Sequence, residues 1–88
     1  MKLEKWDKNE GYTIVITKDI DICISKHIFE NSDDAQILYL VDYFDDNSDW
    51  EEGWVGEKYD EFDELYQALE YLEDEFNIPK KITKQIKL

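Results

Sequence analysis

The sequence predicts an α+β fold, in which a small antiparallel sheet of three to four strands is packed by one amphipathic C-terminal helix. Residues 12–17 and 20–29 alternate apolar or β-branched residues with polar ones, a pattern typical of half-buried strands. Residues 36–44 are apolar at almost every position, which indicates a central strand buried on both faces. Residues 60–77 instead repeat apolar residues at three- and four-residue steps, which predicts a helix.

The segments before, between and after the predicted strands also carry structural signals. Residues 1–10 mix Lys with acidic residues, and we expect a frayed start from which Trp6 folds onto the core. Lys18 and Asp19 form a short connection between the first two predicted strands, although neither is the Gly that tight hairpins prefer. Residues 53–56 predict a short fourth strand after a polar, acidic loop.

The predicted helix has one apolar stripe and one acidic side. We expect Asp60 to be its N-cap and Pro79 to prevent its continuation. The tail, residues 79–88, is expected to be flexible or to form an edge strand. The apolar stripe, which we expect to close the core, consists of Phe62, Leu65, Leu69, Leu72 and Phe76.

Length and composition indicate one acidic domain spanning residues 1–88, with flexible ends. An apolar fraction of 42% supplies enough material for a modest core. Cys23 is the only cysteine, so no internal disulfide can form, which fits a reducing compartment. The first residues contain no apolar signal segment, and no 18-residue apolar run follows. We therefore expect a cytoplasmic protein, in the host cytosol if a phage encodes it.

The charge of the chain is large and segregated. The net charge is −13, and residues 30–76 hold 18 acidic residues against one Lys, whereas residues 77–88 hold four Lys and no acid. There is no Arg. Binding to nucleic acid requires basic groups against phosphate, and binding to an anionic membrane requires the same, so both are disfavoured. A segregated charge favours an electrostatic surface that meets a basic partner.

Metal binding and catalysis are both disfavoured by the residue pattern. Asp45, Asn47 and Asp49 match the first ligand positions of an EF-hand loop, but Trp50 replaces the required Gly and Gly56 replaces the bidentate Glu. Only one His and one Cys are available for zinc. We therefore expect no metal, no cofactor and no enzymatic activity, although a weak pair between Cys23 and His27 is conceivable.

The residues that we expect to bind a partner come from the acidic loop and from the outer side of the predicted helix. Trp50 and Tyr71 are the expected aromatic anchors, because exposed aromatic residues among charges are enriched in protein interfaces. The full predicted set is Asp45, Asp46, Asp49, Trp50, Glu51, Glu52, Asp60, Asp63, Glu64, Glu70, Tyr71, Asp74 and Glu75.

The charge density of the predicted helix suggests imitation of DNA. A helix over residues 60–76 is about 25 Å long, and about seven phosphates of one B-DNA strand span that length. Residues 60–76 carry eight acidic residues. This surface should therefore be attracted to the basic groove of a protein that handles nucleic acid.

The segment around the start of the predicted helix also resembles a known class. Small, acidic, single-domain phage proteins that imitate DNA include anti-restriction proteins and some anti-CRISPR proteins, and less than a fifth of this chain resembles the acidic C-terminal stretch of one anti-CRISPR group. The resemblance implies a target at the site where a Cas nuclease reads duplex DNA. It is carried by Gly53, Trp54, Glu57, Tyr59, Asp60, Glu61, Phe62, Asp63, Glu64 and Tyr66.

Two other classes of function fit the same charge. Acidic α+β domains serve as antitoxins or immunity proteins that neutralise a basic toxin, and a neighbouring toxin gene would favour that class. The acidity could also belong to an interaction module with another role, which would be favoured if a pull-down recovered no basic partner. The sequence alone leaves the target and the oligomeric state open.

Overall fold

The computed structural model describes residues 1–8, 10–30, 34–45 and 58–88. Within these ranges it has an α+β fold with one antiparallel five-stranded sheet, in the order β1-β2-β3-β4-β5, and two helices. The predicted class is therefore confirmed, with five strands in place of the three to four that were predicted. The elements are β1 (Lys2–Lys5), β2 (Gly11–Val15), β3 (Ile20–Glu30), β4 (Ala35–Asp45), β5 (Lys58–Phe62), α1 (Leu65–Phe76) and α2 (Lys80–Thr83).

The three predicted strands correspond to β2, β3 and β4. The strand order follows the chain order, so β3 lies in the middle of the sheet and pairs with both β2 and β4. The central position predicted for residues 36–44 is therefore wrong by one strand, since β4 lies between β3 and β5. The short strand predicted at residues 53–56 lies outside the described residues.

The turn between β2 and β3 is closed by a threonine instead of a glycine. The Thr17 hydroxyl oxygen accepts hydrogen bonds from the backbone N–H groups of Asp19 and Ile20, both at 3.1 Å. The backbone N–H of Ile16 donates to the carbonyl of Ile20 at 3.0 Å and closes the end of the hairpin. A side chain that bonds its own backbone two and three residues ahead favours a turn without Gly.

One face of the sheet, which we call the helix face, forms the core with α1, α2 and the tail. Residues directly opposite each other in the register share a face, so Ile14 and Ile22 lie side by side, as do Ile24 and Val41. These four side chains are fully or almost fully buried. Burial at about 25 cal/mol per Å² of apolar surface makes this face the main source of stability. The side chains of α1, α2 and the tail that are buried in the same cluster are Ala68, Leu72, Ile78, Ile82 and Ile86.

The predicted helix begins five residues too early. Asp60 pairs with Val41 and Phe62 with Tyr39, so residues 58–62 form an edge strand, β5. The prediction failed because Phe62 falls in helical phase with Leu65 while it also alternates with acidic neighbours. Asp60 is therefore not an N-cap, and the helix has 12 residues, a length of about 18 Å.

Both ends of α1 are closed by specific residues. Glu64 is the N-cap and forms a capping box with Gln67, whose side chain oxygen accepts a hydrogen bond from the Glu64 backbone N–H at 3.2 Å. At the other end, Asn77 takes the left-handed conformation with φ 55°, a position where Asn is tolerated better than most residues. The Ile78 backbone N–H then donates to the carbonyl of Leu72 at 3.2 Å, which turns the chain back toward the core.

The C-terminal tail is part of the core, contrary to the expectation of a flexible segment or an edge strand. Residues 80–83 form α2, and Ile78, Ile82 and Ile86 are buried. The backbone N–H of Lys87 donates to the Tyr12 hydroxyl at 3.2 Å. The tail alternates in sequence, but its apolar residues at positions 78, 82 and 86 have the four-residue step of a helical turn and point to one side.

The start of the chain is also ordered by pairing. β1 pairs with β2 through Leu3 and Ile14, and Leu3 packs against the core. Trp6 lies on the opposite face of the sheet, where its Nε1–H donates to the Thr13 hydroxyl at 2.9 Å. A Cβ at Gly11 would lie 2.7 Å from Trp6 Cε3, so the absence of a side chain at Gly11 is what lets the indole lie there.

No helix in the described part of the chain is long and apolar enough to cross a membrane.

The burial of α1 predicts unequal costs for two of its leucines. Leu72 is fully buried, whereas Leu69 is only partly buried. Leu72→Ala should lower the free energy of unfolding by about 2–5 kcal/mol, because it removes a core side chain and leaves a cavity. Leu69→Ala should cost clearly less. Urea unfolding of both variants measures the difference, and an equal loss would contradict this packing.

The buried tail predicts that its isoleucines stabilise the whole domain. Ile86 is 2% exposed, and Ile86→Ala should lower the free energy of unfolding by about 2–5 kcal/mol. Lys84→Ala, at an exposed position two residues earlier, is the matched control and should change stability by less than about 0.5 kcal/mol. Equal stability of Ile86→Ala and the parent protein would show that the tail does not belong to the core.

Candidate acidic interaction surface

The predicted partner-binding residues Asp60, Asp63 and Glu64 lie on β5 and on the turn before α1. Asp60 points to the helix face because it pairs with Val41, whereas Glu61 pairs with Leu40 on the opposite face. Asp63 and Glu64 follow in the turn, and all four residues are exposed. These acids therefore surround the edge of the sheet instead of forming one row on a helix.

The helix supplies a second group of exposed carboxylates. Glu70 and Asp74 are four residues apart on the side of α1 opposite Leu72, and Glu75 is also exposed. Phe76 stacks on Tyr43 at 5.4 Å and 6°, so α1 runs back over the sheet, antiparallel to β5. The acids of β5, the turn and α1 therefore line one border of the molecule, which we call the acidic surface: Asp60, Asp63, Glu64, Glu70, Asp74 and Glu75.

Glu73 has a structural partner. The Thr83 hydroxyl donates to its carboxylate at 2.7 Å, and Thr83 itself is buried. A charge-assisted hydrogen bond of this kind fixes α2 against α1. Of the acids in the second half of α1, Glu70, Asp74 and Glu75 are thus left on the outside.

The shorter helix changes the comparison with DNA. About five phosphates of one strand span its length of about 18 Å, and α1 presents three exposed carboxylates over that distance. The helix alone therefore does not carry the linear charge density that the sequence predicted. A comparable density is reached only if β5 and the turn contribute their carboxylates to the same surface.

Tyr71 does not lie on the outer side of the helix, contrary to its predicted position. Its ring packs between Phe62, at 5.2 Å, and Phe76, at 5.5 Å in an edge-to-face arrangement. Burial raises the pKa of Tyr71, and so do the Asp60 carboxylate, which accepts its hydrogen bond, and the nearby charge of Glu75. Tyr71 thus connects β5 to α1 and brings Asp60 and Glu75 to the same place.

The exposed aromatic residue of α1 is Tyr66, which the sequence analysis did not select as an anchor. Its side chain is 60% exposed, beside Asp63 and Glu64 in the chain. The error has the same origin as the early helix start, because the buried side of α1 is centred on Ala68 and Leu72. With the buried side centred on Ala68 and Leu72, position 66 falls on the outer side and position 71 on the border of the core.

Only Asp45, at the beginning of the acidic loop, lies within the described residues. Asp45 is the last residue of β4, where it is half-buried and pairs with Ile20. The predicted partner-binding residues Asp46, Asp49, Trp50, Glu51 and Glu52 lie outside the described residues. Among the described residues, no group of three or more His, Cys, Asp and Glu side chains could hold a metal ion.

A row of polar side chains crosses the face opposite the helices. Cys23 Sγ lies 3.7 Å from the Thr13 hydroxyl, and burial raises the pKa of the Cys23 thiol. His27 Nε2 lies 3.1 Å from the Ser25 hydroxyl. Burial raises the pKa of the Asp42 carboxyl, partly offset by the charge of His27. The conceivable pair of Cys23 and His27 is therefore not formed, because each side chain bonds a different hydroxyl.

The comparisons with known proteins identify no relative. No protein family, curated protein or solved structure matches this chain.

The position of Tyr71 predicts a specific loss of stability at high pH. Because the folded state raises the pKa of Tyr71, the contribution of its neutral form is complete below the unfolded pKa of about 10 and falls as the pH rises above that value. Tyr71→Phe should therefore weaken the fall of unfolding free energy with pH above about 10. Tyr66→Phe is the matched control, and equal changes in the two variants would contradict the assignment.

Proposed function

We propose that this protein binds the basic nucleic-acid-binding surface of a partner protein and competes there with DNA. A nuclease of the Cas or restriction type is the class of partner that the charge fits best, and the protein would act as its inhibitor. The observation that carries the proposal is the acidic surface, six exposed carboxylates on β5, the turn and α1.

Several carboxylates of this surface form no interaction within the described part of the protein. Within the described residues, the Asp63, Glu70 and Asp74 carboxylates make no ion pair or hydrogen bond. No Lys or Arg occurs from residue 59 to residue 79, so no cation is close in sequence. Like charges held together cost stability, and a cluster in which several carboxylates face only solvent is expected where an external cation neutralises it.

The placement of the apolar residues supports an external role for the acids. The apolar side of α1 is buried against the helix face through Ala68 and Leu72, so the helix is held by the core and the carboxylates can be displayed to a partner. The negative electrostatic potential of these carboxylates attracts a Lys- and Arg-rich groove over about one Debye length, roughly 8 Å at physiological salt. The attraction raises the rate of association and weakens as salt increases.

Tyr66 is the aromatic residue that would act as an anchor within this surface. It is 60% exposed and lies next to the acidic turn and one helical turn before Glu70. Interfaces usually combine a few buried aromatic contacts with a charged rim. In this arrangement the carboxylates govern association, and Tyr66 governs dissociation.

Competition with DNA tests the proposal directly. The partner is isolated from the host cytosol at low and at moderate salt, and its binding to a labelled duplex is titrated with the protein. We expect mutual exclusion, with an inhibition constant that weakens as salt rises. Simultaneous binding of the protein and the duplex, without mutual weakening, would contradict mimicry of DNA.

A charge-matched pair of variants locates the binding face. Asp63→Asn, Glu70→Gln and Asp74→Asn together remove three charges from the acidic surface and leave Glu64 in place because it caps α1. Glu4→Gln, Asp7→Asn and Asp34→Asn remove three exposed charges elsewhere. At about 0.5 kcal/mol for each exposed pair, the first variant should bind about tenfold more weakly. Equal affinity of the two variants would place the binding face elsewhere.

A further inference from the structure

The middle of the sheet extends beyond the strands on either side. β2 pairs with β3 only as far as Ser25, after which the Lys26 backbone N–H donates to the Glu10 carbonyl at 2.8 Å. β5 pairs with β4 only as far as Tyr39. Residues 27–30 of β3 and 35–38 of β4 therefore form a two-stranded ribbon, and no described strand pairs with its β3 edge.

The ribbon exposes large apolar side chains. Ile28 is 57% exposed and Phe29 is 48% exposed, on opposite faces of the same strand. A two-stranded ribbon is marginally stable in water unless further strands or a helix cover it. The exposed apolar side chains of Ile28 and Phe29 therefore lie on the same stretch of β3 whose backbone edge no described strand covers.

The two outer strands of the sheet, β1 and β5, are protected by charge. β1 carries Lys2, Glu4 and Lys5, and β5 carries Asp60 and Glu61. Charged residues on an edge strand oppose pairing with another chain. The β3 edge of the ribbon differs, because adjacent apolar residues, Ile28 and Phe29, lie at its centre.

The hydrogen bond to Glu10 determines which backbone groups face this edge. Because the Lys26 N–H points toward β2, antiparallel geometry directs the N–H and C=O groups of Ile28 and Glu30 to the same side. Those of His27 and Phe29 point toward β4, where they pair with Leu38 and Gln36. The open edge thus offers the donors and acceptors of two alternate residues, 28 and 30.

We propose that a second copy of this chain pairs with the β3 edge, antiparallel and about a two-fold axis at Phe29. A two-fold axis perpendicular to the sheet requires residues of the same face to oppose each other. Glu10 already occupies the place beside Lys26, so the pairing cannot be centred on Ile28. When the pairing is centred on Phe29, Ile28 lies opposite Glu30 of the second copy, and Glu30 lies opposite Ile28 of the second copy. These two residue pairs form the backbone hydrogen bonds between the two edges.

The side chains at this edge are self-complementary in that register. Phe29 meets its own copy in a non-hydrogen-bonded pair, the closer of the two antiparallel types, and His27 stacks on Phe29 at 6.3 Å on either side. On the helix face, Lys26 lies diagonal to Glu30 of the second copy. A cavity of about 310 Å³ lined by Glu10, Lys26, His27 and Ile28 leaves room beside Lys26 for that carboxylate.

Charge also selects a second copy over a basic partner at this edge. Among the described residues of the ribbon and its base, Lys26 offsets part of the charge of Glu10, Glu30 and Asp34, so the β3 edge is less acidic than the acidic surface, which contains no Lys. The acidic surface lies along the opposite border of the sheet, beyond β4. Pairing through β3 leaves both acidic surfaces of the dimer uncovered, so this inference does not rest on the proposed function.

Cysteine cross-linking tests the register. In a Cys23→Ser background, Phe29→Cys would bring two thiols together across the two-fold axis, where opposed Cα atoms lie about 4.5 Å apart, within disulfide range. Ile28→Cys is the matched control, because residue 28 opposes residue 30. We expect Phe29→Cys to form a covalent dimer at least tenfold faster under mild oxidation. Equal rates for the two variants would overturn the register.

Sedimentation of the parent protein tests the association itself. The mass should rise from 10.6 kDa toward twice that value as concentration increases to about 1 mM, the range of a small interface. Phe29→Lys should abolish the rise because it opposes two like charges, whereas Tyr66→Lys, at an equally exposed site on α1, should not. A constant monomer mass, an open-ended polymer or a dimer that persists in folded Phe29→Lys would each overturn the proposal.

Discussion

The structure depends on one contact, the burial of the apolar side of α1 against the helix face of the sheet. α1 carries four acidic residues and no basic one, so electrostatic repulsion opposes its packing against a sheet that bears further acids. Burial of Leu72 and Ala68 among the isoleucines of β2 and β3 favours that packing, since both side chains are fully buried. The non-directional hydrophobic gain thereby exceeds the repulsion among screened surface carboxylates.

The tail completes this core and moderates its electrostatics. Ile78, Ile82 and Ile86 close the cluster from the end of α1, and the Thr83 hydroxyl is hydrogen-bonded to Glu73. The segment that follows α1 carries four Lys residues, beside the end of the helix where the dipole is negative. At the opposite end, Asp63 and Glu64 lie near the positive end of the dipole, which favours them. The charge segregation seen in the sequence therefore agrees with the polarity of α1.

Periodicity was enough to predict the elements that have one clear period. β2, β3 and β4 alternate or are continuously apolar, and the second half of α1 repeats Leu69, Leu72 and Phe76. β5 was missed because three of its five residues, Lys58, Asp60 and Glu61, have low strand propensity, and pairing with β4 supplies the hydrogen bonds that decide their conformation. The same error moved the helix start and exchanged the positions of Tyr66 and Tyr71. The exposed tyrosine of α1 is therefore Tyr66, where the sequence had indicated Tyr71.

Net charge and edge chemistry together divide the surface into two regions of different chemical character. A chain of net charge −13 repels its own copies over most of its surface, so self-association requires a place where the local repulsion is reduced. At the β3 edge, Lys26 offsets part of the charge of Glu10 and Glu30 on one face, and His27 and Phe29 lie on the other. The acidic surface has the opposite character, because its carboxylates repel a second copy and would favour a basic protein. The sheet separates these two regions, since β4 lies between the β3 edge and β5, and a partner bound at one would leave the other uncovered.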